Sequence, residues 1–130
     1  MREYKFRAWS KKLNDYVKPA HFMIDGCGQV FRSEWLDSDT KTKDLIIEQW
    51  TGLKDKNGKD IYEGDIIKYY GSNKRVKVKT TYGIVFYDSE HGCFNSRIQN
   101  GEHNKGGINP GDDLVVGNIH ENADLLEVSE

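Results

Sequence analysis

Four carboxylates lie close together in the middle of the chain, in and around two turns that contain glycine. Carboxylates at this density could hold a hard cation such as Mg²⁺ or Ca²⁺, and such a cation could serve a metal-assisted hydrolase. Their spacing matches no EF-hand loop, and tight turns also require aspartate and glycine for backbone geometry and side-chain hydrogen bonds. We therefore predict structural turns here, with no metal site and no cofactor. The four residues are Asp55, Asp60, Glu63 and Asp65.

His91 and Cys93 form the closest pair of imidazole and thiol in the sequence. A nucleophilic cysteine needs a base that a third group orients, together with donors for the developing oxyanion, and the sequence shows neither. A structural zinc site would need a second such pair. Cys93 is instead typical of a buried or half-buried strand residue, and the sequence has no glycine-rich phosphate loop. We therefore predict no catalytic residue and expect that the protein is not an enzyme.

A run of basic residues is the strongest candidate for a binding surface. Residues 68–79 carry five cations and no acid, next to two tyrosines. On a small β protein such residues could follow a phosphate backbone and stack exposed bases. Basic residues that alternate with Val76 and Val78 are equally typical of a solvated strand face or a protected edge. The candidate surface for nucleic acid or an acidic partner comprises Lys74, Arg75, Lys77, Lys79, Tyr69 and Tyr70.

The acidic end of the chain offers a different partner for the basic run. Residues 88–130 contain nine acids against Arg97 and Lys105. Complementary segments in one small protein favour contact between two copies, because opposite potentials steer and register the encounter. We therefore keep a second copy of this chain and an acidic partner protein as possible partners, alongside nucleic acid.

The composition is typical of a small folded protein. The chain has 130 residues, a net charge of −2, 36% apolar residues and 12% aromatic residues, which fits one domain or two small subdomains. Its longest apolar runs have only the length of a strand, so we predict no membrane span. The N-terminus lacks the apolar core of a secretory signal, and Cys27 and Cys93 are far apart, as expected for free thiols in a reducing compartment. We therefore expect a cytoplasmic protein.

Thirteen glycines and two prolines separate short stretches rich in Val, Ile, Tyr and Phe, which predicts a mainly β protein. In the N-terminal region, Tyr4, Phe6 and Ala8 alternate as in a strand that is covered on one face. A hairpin is expected at residues 25–28, where two glycines supply positive φ angles, and a type I′ turn is expected at residues 57–58.

Five short stretches after residue 65 predict a small closed or nearly closed barrel, which hides its strand edges. Gly83 lies where a bulge or a barrel corner would bend a strand. Asn122 is placed to cap a short C-terminal helix of one or two turns. The predicted strands are residues 66–70, 76–80, 84–87, 94–98 and 114–119.

Four blocks of sequence resemble the YopX protein family, in the family's order and over nearly the whole chain. The most specific block is QWTGLKDKNGKDIYEGDIIKY at residues 49–69. His120 stands where the family usually has an aromatic residue, and Ala123 replaces a proline that would favour the first helical turn. The other blocks are REYKFRAWSKKLNDYV at residues 2–17, GIVFYDSEHGCF at residues 83–94 and VVGNIHENADLL at residues 115–126.

This resemblance implies a small protein of temperate phages and prophages, with a C-terminal part similar to an SH3-like barrel. It implies no reaction and no site residues. We therefore predict a mainly β fold, with an N-terminal β region at residues 1–50 and an SH3-like barrel with a short C-terminal helix at residues 51–130, integrated into one YopX-like unit. The expected function is that of a phage or prophage accessory protein of unknown activity. Its expected partner is a host or phage protein, or a second copy of the same chain in a homo-oligomer. The alternative is a small β-barrel that binds nucleic acid.

Overall fold

Strands dominate the computed structural model of the protein, which describes residues 3–32, 45–69, 82–98 and 105–126. The predicted mainly β fold is confirmed. The chain divides into two compact units, Glu3–Gln49 and Trp50–Glu130, called here the N-terminal and C-terminal units. The described strands are β1 (Phe6–Ser10), β2 (Asp15–Val17), β3 (Phe22–Ile24), β4 (Val30–Arg32), β5 (Leu45–Lys54), β6 (Asp60–Tyr62), β7 (Asp65–Lys68), β8 (Tyr82–Asp88), β9 (Cys93–Ile98) and β10 (Leu114–Asn118), with 3-10 turns at Pro19–His21 and Ala123–Leu126.

In the N-terminal unit, β1 pairs antiparallel with β2 on one side and with the first half of β5 on the other. Ala8 is fully buried, as the alternating pattern predicts, but Trp9 is only 5% exposed although it points to the opposite face. The Trp9 ring packs edge-on against Tyr16, its partner on β2, with the ring centroids 5.0 Å apart. The prediction that only one face of this strand is covered is therefore wrong, because an aromatic side chain of β2 covers the second face.

A buried charge also links the strands of this unit. Glu48 on β5 is 4% exposed and accepts hydrogen bonds from Arg7 Nε at 2.7 Å and from the Tyr16 hydroxyl at 2.9 Å. The Arg7 guanidinium lies 4.7 Å from the centre of the Tyr16 ring. A carboxylate removed from water is tolerated only when its oxygens are bonded. Arg7 and Tyr16 therefore both bond to Oε1 of Glu48, and the three side chains link β2, β1 and β5.

The same loop geometry closes the β3–β4 and β5–β6 hairpins. In each loop an aspartate, Asp25 or Asp55, accepts hydrogen bonds of 2.8 and 2.9 Å through Oδ1 from the backbone amides two and four residues further on. The glycine three residues on, Gly28 or Gly58, has a φ of 83° or 82°. This is a type I turn followed by a left-handed glycine. The predicted type I′ turn is wrong because Asn57 keeps a negative φ, and the first hairpin uses only one of its two predicted glycines.

The C-terminal unit contains an antiparallel sheet in the order β10, β7, β8 and β9, which curls as half of a barrel. Four of the five predicted strands correspond to β7 through β10, and the fifth, residues 76–80, lies outside the described residues. The fully buried centre comprises Ile61, Ile67, Tyr69 and Val85, and Leu53, Ile98, Ile108 and Val115 pack against it.

Two local features of this unit differ from the predictions. Gly83 pairs regularly with Ile67 and Ile98, and the register shift falls instead between Val115 and Gly117. The predicted C-terminal helix is a single 3-10 turn, Ala123–Leu126. The preceding residue, Asn122, turns its side chain back to accept a hydrogen bond of 3.1 Å from the Asn118 amide. That bond stabilises the turn before the helical residues.

Candidate functional site

Asp55, the first of the four carboxylates considered for a cation, connects two distant parts of the C-terminal unit. It is 6% exposed, and its Oδ1 accepts hydrogen bonds from the Asn57 and Lys59 amides of its own loop. Its Oδ2 accepts a hydrogen bond of 2.9 Å from the Val115 amide, which ties the β5–β6 hairpin to β10. Burial acts to raise the pKa of Asp55, but the amides of Val115, Lys59 and Asn57 outweigh burial and hold that pKa below its usual range.

The neighbouring carboxylates also serve local structure. Asp65 is 1% exposed, and its Oδ2 accepts a hydrogen bond of 2.8 Å from the Tyr62 amide across the turn between β6 and β7. Asp60 lies 3.8 Å from Lys54 Nζ, opposite it in the hairpin. Glu63 is half-buried at the same turn as Asp65. Asp55 and Asp65 therefore have the turn-forming role that their residue types and spacing predict.

Tyr69 is completely buried, so the prediction that it stacks on exposed bases is wrong. Its hydroxyl bonds to the Ser96 hydroxyl, which in turn donates to the Gly107 carbonyl. A Cβ on Gly83 or Gly106 would overlap the Tyr69 hydroxyl, so both glycines make room for the ring. Burial raises the pKa of Tyr69 to about 12, and the group stays neutral at ordinary pH.

The other residues of the predicted basic surface lie outside the described residues. The segment that contains them joins β7 to β8, whose paired ends are Lys68 and Tyr82. The described strand ends on either side of this segment are therefore neighbours in the sheet. The residues outside the description are Tyr70, Lys74, Arg75, Lys77 and Lys79.

The densest polar group in the described residues surrounds the turn between β8 and β9. Asp88 is 2% exposed at its side chain, and its Oδ2 accepts hydrogen bonds from His91 Nδ1 at 3.0 Å, Lys105 Nζ at 3.0 Å and Asn95 Nδ2 at 3.2 Å. Its Oδ1 accepts one from the Glu90 amide at 3.1 Å. We call these five residues the Asp88 cluster.

The Lys105 ammonium group is ion-paired with both carboxylates of the Asp88 cluster. Asp88, Glu90 and His91 place three potential metal-ligand atoms within 4.8 Å of one another. Lys105 Nζ, however, lies 3.0 Å from Asp88 and 3.5 Å from Glu90. Its hydrogen bond holds the pKa of Asp88 well below its usual range and raises the pKa of Lys105. The arrangement anchors residue 105 to the turn, and sequence reasoning missed it because 17 residues separate the two partners.

Cys93 lies opposite Asp88 in the β8–β9 register. The structure supplies the third group that the sequence did not show, because Asp88 orients the His91 imidazole. Among the described contacts, however, no hydrogen bond joins His91 to Cys93. Cys93 is exposed, so the expectation of a buried or half-buried thiol is wrong: the residue begins β9 directly after the turn.

The sequence model of the YopX protein family matches residues 5–127, nearly the whole chain. The chain belongs to the YopX protein family. Among solved structures it is similar to protein EF1440 from Enterococcus faecalis, with 28% identity and a TM-score of 0.59, over 98% of this chain and 100% of that chain. A comparison with curated proteins found no match. No helix in the described part of this YopX-family protein is long and apolar enough to cross a membrane.

The described surface of this YopX-family protein also carries an aromatic pair, in which Tyr87 is exposed and Phe94 is half-buried. Tyr87 on β8 is 49% exposed, and its ring meets that of its β9 partner Phe94 edge-on, with the centroids 5.4 Å apart. On the other face of the hairpin, the Arg97 guanidinium lies 4.7 Å from the centre of the Phe86 ring. We call Tyr87 and Phe94 the aromatic tip. Exposed aromatic side chains of this kind are enriched at protein interfaces.

Proposed function

We propose that this YopX-family protein is a non-enzymatic phage or prophage accessory protein that acts by binding another protein or a second copy of itself. The observation that carries the proposal is that four of its buried polar side chains are hydrogen-bonded or ion-paired to other parts of the fold. Asp55 and Asp65 accept bonds from backbone amides, Asp88 is bonded by Lys105, and Ser96 bridges Tyr69 to a backbone carbonyl. Groups bound in this way support the fold and are not available to a substrate.

The aromatic tip supports a role in association. Tyr87 presents about half of its surface to solvent beside Phe94. Rigid aromatic side chains lose little conformational entropy when they are covered, and they recur among the residues that dominate binding energy. The uneven distribution of charge along the sequence also supports self-association. The basic run at residues 68–79 of one copy and the acidic residues within 88–130 of a second copy have opposite charge, which would orient the two copies.

The proposed location is the cytoplasm of a bacterial host. Cys27 and Cys93 are both free and exposed. Exposed free thiols persist in a reducing compartment and oxidise in an extracellular one. The phage or prophage origin is inferred from the family resemblance.

Light scattering coupled to size exclusion tests self-association. We expect a particle mass of at least twice the 15.0 kDa of one chain. We expect Tyr87→Ser to lower the particle mass toward that of a monomer. The matched control is Tyr4→Ser, which changes a 64% exposed tyrosine of the N-terminal unit and should leave the mass unchanged. A wild-type protein that stays monomeric and also captures no partner from host lysate would contradict the proposal.

Nucleic-acid binding is the second candidate, and the observation that favours it is the run of five cations without an acid at residues 68–79. Fluorescence anisotropy with labelled single and double strands at low salt is the direct test. Affinity should fall steeply as salt rises, and Lys77→Glu with Lys79→Glu should weaken binding equally for all sequences. The control is Lys56→Glu, at an exposed loop position outside the run. Undetectable binding to both strand types at low salt would exclude this function.

A further inference from the structure

Asp113 is a carboxylate with one oxygen that has no hydrogen-bond partner among the described residues. The residue is 1% exposed and immediately precedes β10. Its Oδ2 accepts a hydrogen bond of 2.7 Å from the Asn109 amide, whereas its Oδ1 is buried and has no hydrogen-bond partner in the part of the chain that the structure describes. An ionised carboxylate in this position would leave charge on an oxygen that neither water nor protein solvates.

The same residue fastens an exposed turn to the β5–β6 hairpin. The Asp113 amide donates to the Asn109 carbonyl at 2.9 Å, and the Asp113 carbonyl accepts from the Lys56 amide at 3.0 Å. Residues 109 and 111 of the turn are exposed. A short exposed turn held by a few hydrogen bonds can open without unfolding the unit.

We propose that residues 109–113 form a proton-controlled clasp, held closed against the β5–β6 hairpin when Asp113 is neutral and loosened when Asp113 is ionised. Opening of the turn would let water reach the orphaned oxygen, so ionisation favours the open state. The ligand of this regulatory element is the proton. The clasp is independent of the proposed binding function.

Burial is the main effect that opposes ionisation of Asp113. It outweighs the hydrogen bond from the Asn109 amide, which lowers the pKa, and together with the smaller effect of the Asp112 charge it raises the pKa of Asp113 to about 6. On the hairpin side, Lys56 donates its amide to the Asp113 carbonyl and has an exposed side chain, and the preceding Asp55 stays ionised because its pKa is lowered. On the core side lies the Tyr69 hydroxyl, which is neutral.

The direction of the pH effect follows from linkage. A carboxyl group whose pKa is higher in the closed state than in the open state stabilises the closed state fully at low pH, and this stabilisation is lost as pH rises through the closed-state pKa. With an open-state pKa of 3.8 and a closed-state pKa of about 6, closure should weaken about tenfold per pH unit between these values and then level off.

Amide hydrogen exchange measured by NMR tests the clasp in the full chain. The protection factor of the Lys56 amide, corrected for the intrinsic pH dependence of exchange, should fall about 50-fold between pH 4 and pH 7. The Asp113 carboxyl carbon should titrate above pH 5. Protection that is independent of pH, or an Asp113 carboxyl that titrates near pH 4, would overturn the proposal with the wild-type protein alone.

Two variants separate Asp113 from its neighbour. Asp113→Asn is neutral at every pH, so the Lys56 protection factor should become constant from pH 4 to pH 7. Asp112→Asn removes the adjacent charge and should keep most of the pH dependence. Equal pH dependence in Asp113→Asn and the wild type would assign the effect to another group and refute the clasp.

Discussion

The Tyr69 hydroxyl occupies the space where Gly83 would carry a Cβ atom. Gly83 lies on β8 opposite Ile67, and a methyl group at this position would overlap the tyrosine's oxygen and the adjacent ring carbon. The Tyr69 ring therefore fits into the core because Gly83, on the neighbouring strand β8, has no side chain.

Gly83→Ala should destabilise the protein. A side chain forced into a packed core displaces its neighbours, at a cost of about 1–3 kcal/mol. Urea unfolding measures this cost as a lower midpoint with an unchanged slope. Gly26→Ala is the matched control, because a Cβ at Gly26 has nothing within 4 Å and Gly26 does not need a positive φ. Equal effects of the two substitutions would refute the packing argument.

Tyr69→Phe should lower the free energy of unfolding by about 1 kcal/mol, because Ser96 loses its donor while its own bond to Gly107 remains. The same change should relieve part of the overlap caused by Gly83→Ala. The double variant is therefore expected to cost less than the sum of the single variants, as measured in a double-mutant cycle. Strict additivity would show that the two residues do not interact.

Asp55→Ala should cost more stability than Asp25→Ala, although both aspartates close the same type of loop. The first substitution leaves the amide of the half-buried Val115 without its acceptor, in addition to the loop amides, and a hydrogen bond to a charged group contributes about 1.5–3 kcal/mol. Asp25 is exposed, and its side-chain hydrogen bonds stay within its own loop. Thermal unfolding of the two variants compares them, and a larger loss in Asp25→Ala would contradict the bridging role of Asp55.

The Asp88 cluster should make the protein sensitive to acid. The pKa of Asp88 is lowered in the folded state, chiefly by its hydrogen bond with Lys105. The stability that Asp88 contributes is therefore present above its ordinary pKa of about 4 and is lost as pH falls below that value. In a series of thermal melts, Asp88→Asn should reduce stability at pH 7 and flatten the profile below pH 4. Glu90→Gln, at a 79% exposed side chain, should leave both nearly unchanged.

Divalent cations should not stabilise the protein. Backbone amides already bond to the carboxylates of Asp55 and Asp65, and Lys105 already lies between Asp88 and Glu90. A thermal melt with Mg²⁺ or Ca²⁺ is expected to match the melt in a chelator. A clear rise in melting temperature with either ion would mean that one of these clusters reorganises to bind it.

The positions of the strands of the C-terminal unit, and the position but not the type of the turn at residues 55–58, follow from local sequence. β7 through β10 and the aspartate-led loop at residues 55–58 correspond to alternation, glycine placement and turn chemistry that a few neighbouring residues encode. The family was recognisable for the same reason, because its motifs are short and local.

The contacts that fix the environment of each side chain depend on residues far apart in the sequence. Tyr69 next to a basic run is typical of an exposed strand end, but Gly83 and Gly106, 14 and 37 residues further on, provide its buried position. Lys105 reaches Asp88 only because residues 105–107 return alongside β9. No local sequence pattern encodes contacts between residues so far apart. For this reason the sequence predicted an exposed Tyr69 and gave no indication of the Asp88 cluster.

The bond from the Val115 amide to Asp55 bears on the order of folding events. It joins residues 60 positions apart, whereas the loop that Asp55 closes through its other oxygen spans only four positions. The entropy of closing a loop grows with its length, and short hairpins form within microseconds. One carboxylate thus takes part in an early local event and in a late closure of the chain. Its loss is accordingly expected to accelerate unfolding more than it slows refolding.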